Sequence, residues 1–104
     1  MARPIGAVEF DNTGRVALVT GGGSGIGRAV VEALAASRFA GVVIFDCLPA
    51  EASLPANAIW HQGDVTRGED CLAAVELAVD RFGGLDLLVN NAAIQPPAQI
   101  DFLE

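Results

Sequence analysis

The sequence contains no lysine and no tyrosine, and these two absences exclude several kinds of chemistry for this chain alone. Without lysine there is neither a Schiff-base amine nor the phosphate-binding lysine of a P-loop. Without tyrosine there is no phenolic acid or base for proton transfer. The length of 104 residues allows one domain or part of one. It excludes a complete enzyme with separate cofactor and substrate domains.

Basic charge is also scarce, because six arginines face thirteen acidic side chains and the net charge is −7. An acidic surface repels phosphate groups, so we expect neither nucleic acid nor an anionic membrane as a partner. No apolar run approaches the roughly 18 residues of a membrane span. Residues 1–14 lack the apolar segment of a signal peptide. We therefore expect a cytoplasmic protein, whose hydrophobic content of 52% suffices for a folded core.

Cysteine and histidine are rare, which weighs against disulfides and metal sites. Cys47 and Cys71 stand 24 positions apart with no CxxC spacing, and His61 is the only histidine. Isolated cysteines of this kind are typical of reduced thiols, so we expect neither a disulfide nor a bound metal. His61 and the adjacent Trp60 are expected to pack or to lie at the surface rather than to bind a ligand.

Short apolar runs alternate with amphipathic segments along the chain. The runs predict strands buried on both faces at residues 16–20 and 42–46, and further strands at residues 59–64 and 85–90. Helical periodicity predicts a first helix over residues 25–38. A second helix is expected to begin at a capping box of Thr66 and Glu69 and to end at Gly83. The core-facing positions predicted for the two helices are Ile26, Ala29, Val30, Ala33 and Leu34, then Leu72, Val75, Ala78 or Val79, and Phe82. This alternation predicts an α/β fold with a parallel sheet.

A glycine-rich loop follows the first predicted strand, with the spacing Gly21-x-x-x-Gly25-x-Gly27 after Thr20. Glycine lets a ligand approach the backbone closely. The helix start that follows offers unpaired N–H groups and a partial positive charge. A pyrophosphate can bind there without any lysine. Two alternatives stay open, a tight turn without a ligand and the GxGxG loop of an S-adenosylmethionine-dependent methyltransferase, which Gly21, Gly23 and Gly25 also satisfy.

An acidic residue ends the second predicted strand. Asp46 lies 19 positions after Gly27, close to the spacing expected of an acid that binds the ribose of a dinucleotide. Its carboxylate would accept hydrogen bonds from ribose hydroxyls and repel a 2′-phosphate. Neither Ser24 nor Cys47 supplies a cation to offset that repulsion, so the pattern favours NAD over NADP. The alternative is an ordinary solvated acid at a strand end.

A second acid, Asp64, ends the third predicted strand and is followed by Val65. The carboxylate could accept a hydrogen bond from an adenine amino group, with the N–H of Val65 nearby. The alternative is that Asp64 only helps to cap the helix that follows.

Four motifs at the ends of successive predicted strands together resemble the short-chain dehydrogenase/reductase family. They are TGGGSGIG at residues 20–27, Asp46, Asp64 with Val65, and NNAA at residues 90–93. The resemblance covers about residues 15–94. It implies a Rossmann-type sheet with strand order 3-2-1-4, the N-terminal part of a doubly wound fold. It also implies an NAD-dependent oxidoreductase that moves a hydride between an alcohol or carbonyl substrate and nicotinamide.

The resemblance further implies a set of cofactor-binding residues. Those expected at the pyrophosphate and its ribose are Gly21, Ser24, Gly25, Ile26 and Gly27. Asp46 would bind the adenosine ribose, and Asp64 and Val65 the adenine. Those expected beside the nicotinamide-side ribose are Asn91, Ala92 and Ala93. Thr20 would tie the glycine loop to the NNAA turn, in which Ala93 stands where the family usually has glycine.

The catalytic residues of the family have no counterpart in this sequence. The family uses a serine, a YxxxK pair and an asparagine beyond the NNAG motif, so no catalytic residue is assigned here. We expect residues 1–14 to be a leader and residues 15–104 to be a partial dinucleotide-binding domain. The full-length enzyme is expected to bind a small-molecule substrate and to form a homo-oligomer.

A complete, non-catalytic nucleotide-binding module is the main alternative to a partial enzyme. In such a module the strand at residues 85–90 would be an open apolar edge, which is a hazard for aggregation. We therefore expect the isolated chain to be poorly soluble.

Overall fold

A computed structural model describes residues 12–50 and 53–92 of the chain. The elements are β1 (Val16–Thr20), α1 (Gly25–Ala36), β2 (Gly41–Asp46), β3 (Ala58–Gln62), α2 (Gly68–Phe82) and β4 (Leu87–Asn90). The four strands form one parallel sheet in the order β3-β2-β1-β4. This confirms the predicted α/β fold and the predicted strand order.

The two central strands are buried on both faces, as their continuous apolar sequences predict. Every residue of β1 and β2 is buried. One sheet face packs against α1, where Val31 meets Val19 and Ile44. The other face packs against α2, where Ala74 and Ala78 meet Val16, Leu18, Val43 and Phe45. Each fully buried aliphatic or aromatic side chain contributes about 1.5–3 kcal/mol, so these layers hold the strand ends in place.

The predicted core face of α1 is wrong by roughly one position. Ile26 is 77% exposed and Ala29 and Ala33 are also exposed, whereas Gly27 and Val31 are buried. Val30 and Leu34, also predicted, pack only partly against the core. Gly27 faces the glycine loop, which lies so close that a Cβ atom on residue 27 would collide with the carbonyl oxygen of Gly21.

The predicted start of α2 is also wrong. The N-cap residue is Arg67, which makes no side-chain capping bond. The hydroxyl of Thr66 bonds Asp64 at 2.6 Å, and Glu69 bonds the guanidinium of Arg67. The capping box does not form because the N–H of Thr66, which Glu69 would accept, donates to Oδ1 of Asp64 instead, at 2.8 Å. The glycine stop is confirmed, since Gly83 adopts a left-handed conformation with φ 90°.

The buried face of α2 is made of its small residues. Of the predicted positions only Ala78 is buried, and it is joined by Ala74, while Phe82 packs at the edge of the cluster. The predicted residues Leu72, Val75 and Val79 are exposed. The apolar residues of α2 cover more of the helix surface than the sheet contacts. The larger apolar side chains therefore lie beside the contact and stay exposed.

Candidate cofactor-binding site

The carboxyl ends of β1 and β4 are joined by the side chain of Thr20, which is buried. Its Oγ1 accepts hydrogen bonds from the N–H groups of Asn91, at 2.9 Å, and of Ala92, at 3.0 Å. The hydroxyl in turn donates to Asn90 Oδ1, which lies 3.2 Å from Oγ1. The tie from Thr20 to the NNAA turn, which the family resemblance implied, is therefore present in the structure.

The glycine loop is fixed from both sides. The N–H of Gly21 donates to the carbonyl oxygen of Phe45 at 2.8 Å. The carboxamide of Asn91 donates from Nδ2 to the carbonyl oxygen of Gly21 at 3.2 Å. A Cβ atom on Gly27 would collide with that same carbonyl oxygen and with Asn91 Nδ2. The first turn of α1 can approach the loop this closely only because residue 27 has no side chain.

The N-terminus of α1 is open to solvent. Its N-cap residue, Ser24, makes no side-chain capping bond, and the first turn contains no acidic residue. Ser24, Gly25 and Ile26 are all exposed. The first N–H groups of a helix lack intrahelical partners, and the macrodipole places partial positive charge there. This end of α1 fits the requirements of a pyrophosphate group.

The carboxylate of Asp46 is buried at the end of β2, where it binds the backbone of the glycine loop and the backbone that follows β2. Oδ2 accepts the N–H of Gly23 at 2.9 Å, and Oδ1 accepts the N–H of Leu48 at 3.0 Å. An ionised carboxylate has about four acceptor positions, so capacity remains for ribose hydroxyls. The bond to Gly23 was not predicted, because a contact across 23 positions leaves no local signal in the sequence.

The indole of Trp60 lies under the loop beside Asp46. Its Nε1 donates to the carbonyl oxygen of Leu48 at 3.0 Å. The ring is so close to Gly23 that a Cβ there would collide with it. His61, the next residue, meets the ring of Phe45 edge to face at 5.5 Å between centroids. Trp60 and His61 therefore pack, as the sequence predicted.

A cavity of about 340 Å³ opens at the carboxyl ends of β1, β2 and β3. This is the edge where open parallel sheets bind their ligands. Its lining is Gly21, Phe45, Asp46, Cys47, Gly63, Asp64, Val65 and Ala92. The cavity thus brings together five of the predicted site residues. The sequence analysis did not identify Phe45, Cys47 and Gly63, although each is adjacent in sequence to a predicted site residue. Of the remaining predicted residues, Ala93 lies outside the described residues.

The carboxylate of Asp64 is exposed and forms a local turn rather than a helix cap. Its Oδ1 accepts both the hydroxyl of Thr66, at 2.6 Å, and the N–H of Thr66, at 2.8 Å. These bonds, the hydroxyl bond above all, hold the pKa of Asp64 below its ordinary value, with help from the charge of Arg67. Cys71, a free thiol like Cys47, donates to the carbonyl oxygen of Val65 at 3.3 Å. No helix among the described residues is long and apolar enough to cross a membrane.

The sheet order, the tethered glycine loop and the acids at successive strand ends define a Rossmann-type α/β fold. The family model described as short chain dehydrogenase matches residues 15–104, and the chain belongs to this family. Family membership decides against the methyltransferase alternative.

Two curated relatives are similar over most of this chain. Bovine L-fucose dehydrogenase is 45% identical over 91 residues, which cover 83% of this chain and 33% of the bovine protein. The 2,5-dichloro-2,5-cyclohexadiene-1,4-diol dehydrogenase of Sphingobium indicum is 43% identical over 99 residues, covering 90% and 39%. The chain therefore spans between a third and two-fifths of the length of these relatives.

A solved structure has a similar fold. A doubly substituted short-chain dehydrogenase/reductase from Serratia marcescens superimposes with a TM-score of 0.70 at 35% sequence identity. The match covers 82% of this chain and 38% of the Serratia chain.

Proposed function

We propose that this chain is the cofactor-binding part of an NAD-dependent oxidoreductase. The enzyme would transfer a hydride between an alcohol or carbonyl substrate and nicotinamide, and the bound nicotinamide would supply that chemistry. The observation that carries the proposal is the carboxylate of Asp46, fixed at the end of β2 in a cavity that also adjoins the glycine loop.

The binding roles follow the strand ends. The open N-terminus of α1, with Ser24, Gly25 and Ile26, would hold the pyrophosphate, and Gly21 and Gly27 would let it approach. Asp46 would bind the adenosine ribose, while Asp64 and Val65 would bind the adenine. Asn91, Ala92 and Ala93 would lie toward the nicotinamide-side ribose.

The preference for NAD over NADP is argued from charge. None of the described residues that line the cavity is basic. A 2′-phosphate beside Asp46 would meet a buried carboxylate with no nearby cation from Ser24 or Cys47. Like charges at close range in a partly desolvated site repel strongly.

We also propose that the chain is part of a longer protein, with residues 1–14 as a leader and residues 15–104 as a partial domain. Two observations support this: the chain spans at most 39% of the curated relatives described above, and β4 leaves an apolar edge exposed. The full-length enzyme would be a cytoplasmic homo-oligomer that acts on a small molecule. Sequencing the gene beyond the codon for Glu104 tests this, because an in-frame serine and YxxxK pair is expected there.

Calorimetric binding of NADH and NADPH tests the cofactor proposal, using the longest protein that the gene encodes. We expect NADH to bind more tightly, and Asp46→Ala to weaken NADH by about ten-fold or more, since hydrogen bonds to a charged group contribute about 1.5–3 kcal/mol. The loss for NADPH should be smaller. Asp80→Ala is the control, because Asp80 is exposed on α2. Equal or tighter binding of NADPH by the unmodified protein would contradict the preference.

A further inference from the structure

The loop between β3 and α2 is anchored by a carboxylate that lies outside the cavity. The N–H of Asp64 donates to Oδ2 of Asp70 at 2.9 Å. Asp70 is the third residue of α2, so its charge lies at the positive end of the helix. A backbone N–H bonded to an ionised carboxylate is held about twice as strongly as one bonded to a neutral acceptor.

Asp70 also packs directly on the loop. A Cβ atom on Gly63 would lie 3.2 Å from the Cβ of Asp70 and 2.7 Å from Cε1 of Phe45. The backbone at Gly63 is therefore confined between a core aromatic ring and the side chain of Asp70. The N–H of Gly63 donates in turn to the carbonyl oxygen of Asp46 at 2.9 Å. Contacts with Phe45, Asp70 and Asp46 therefore fix the backbone that leads into Asp64.

We propose that Asp70 is a positioning residue for the adenine end of the cofactor site. By fixing the N–H of Asp64, it sets the direction in which the carboxylate of Asp64 and the N–H of Val65 are presented to the cavity. The inference rests on the proposed function, because it assumes a dinucleotide whose adenine reaches these two groups. Asp70 itself does not line the cavity.

The neighbouring residue provides a matched control. Glu69 is also an acid in the first turn of α2. Its carboxylate bonds the guanidinium of Arg67, and both side chains are largely exposed. Replacing Glu69 removes the same charge from the same helix end and leaves the bond from the N–H of Asp64 to Asp70 in place. A general effect of charge on the helix dipole would appear in both variants.

The test compares NADH with its hypoxanthine analogue, which lacks the 6-amino group of adenine. Both are titrated by calorimetry into the unmodified protein and the variants, in the longest form that the gene encodes. The unmodified protein should bind NADH more tightly than the analogue. Asp70→Ala should weaken NADH by about ten-fold and the analogue much less, so the preference for adenine is lost. Asp70→Asn, which keeps an acceptor oxygen, should keep most of the preference, and Glu69→Ala all of it.

The outcomes separate the inference from the proposed function. An Asp70→Ala protein that keeps the preference for adenine, or that weakens both dinucleotides equally, overturns the positioning role but leaves NAD binding intact. If the unmodified protein binds neither dinucleotide, both proposals fail. Should Asp70→Ala not fold, Asp70→Leu fills the same space without an acceptor and gives the same two outcomes.

Discussion

The hydroxyl of Thr20 accepts the backbone N–H of Asn91 at 2.9 Å, although the two residues lie 71 positions apart. The same oxygen accepts the N–H of Ala92 at 3.0 Å. One buried side chain therefore binds two successive backbone donors where β4 ends. This contact joins the start of the glycine loop to the segment that follows β4, on the other side of the candidate site.

Replacing Thr20 with valine should destabilise the protein and loosen the segment that follows β4. Valine has nearly the same shape but leaves the N–H groups of Asn91 and Ala92 without their acceptor. An unsatisfied buried donor costs about 1–3 kcal/mol. Asn91 and Ala92 are half-buried, so a loss near the lower end of that range should appear in the free energy of unfolding measured with urea. Thr20→Ser keeps the oxygen and should lose little by comparison. Equal stability of the valine and serine variants would rule out this role for the hydroxyl.

Replacing Gly27 with alanine should separate α1 from the glycine loop. The added methyl would collide with the carbonyl oxygen of Gly21, which is backbone and cannot swing away. Overpacking of this kind costs about 1–3 kcal/mol, and dinucleotide binding should fall with it. Gly68→Ala is the control, since nothing lies within 4 Å of its Cβ position. That change should be neutral or stabilising by up to about 1 kcal/mol. A fully stable Gly27→Ala protein would show that the helix approach is not tight.

The pKa of Asp64 should rise when Thr66 is replaced by valine. In the folded protein the pKa lies below the ordinary value of 3.8, chiefly because the hydroxyl of Thr66 bonds the carboxylate. Folding therefore favours the ionised form. The resulting contribution to stability is present above pH 3.8 and is lost as the pH falls through the lower, folded pKa. Titration of ¹³C-labelled aspartate by NMR measures the shift. Thr66→Ser should keep the pKa low, and an unchanged pKa in the valine variant would refute the assignment.

The chain of 104 residues should self-associate through the apolar surface beside β4. Leu88 pairs in register with Leu18 and so lies on the sheet face that α2 covers, yet it is 60% exposed. Sedimentation velocity should show association that rises with concentration and weakens in Leu88→Lys. Leu48→Lys is the control, because Leu48 is 54% exposed but lies beyond the end of β2, away from this surface. A monodisperse, cooperatively melting monomer would count against a partial domain.

The architecture could be predicted from the sequence because buried strands appear as short apolar runs and glycines mark where elements end. Both signals are local in the sequence. The helix faces could not be predicted so well. For α1 the periodicity of Ile26, Val30 and Leu34 competes with a tertiary constraint, the close approach of Gly27 to the loop, which pattern analysis does not include. In α2 the apolar residues extend around nearly two sides of the helix. Which of them are buried depends on how the helix packs on the sheet, and the residues covered are Ala74 and Ala78.

In the candidate site, too, features that depend on residues close in sequence could be predicted, whereas contacts between distant residues could not. Asp46 and Asp64 stand at strand ends and can be found from their spacing. The partners that fix them differ in this respect. Asp64 is bonded by Thr66 two residues away, whereas Gly23 reaches Asp46 across 23 positions. Asp70 was missed because helix-start acids are common and its bond to the loop depends on how α2 meets β3.

The placement of Trp60 under Gly23 gives this chain an internal optical reporter. It is the only tryptophan in the sequence, and its indole touches the loop at which a pyrophosphate would bind. Tryptophan emission overlaps the absorption of reduced nicotinamide, so a dinucleotide bound at this loop would quench the emission by energy transfer. Occupancy of the site could then be followed by fluorescence without a label, at concentrations too low for the exposed apolar surface to drive association.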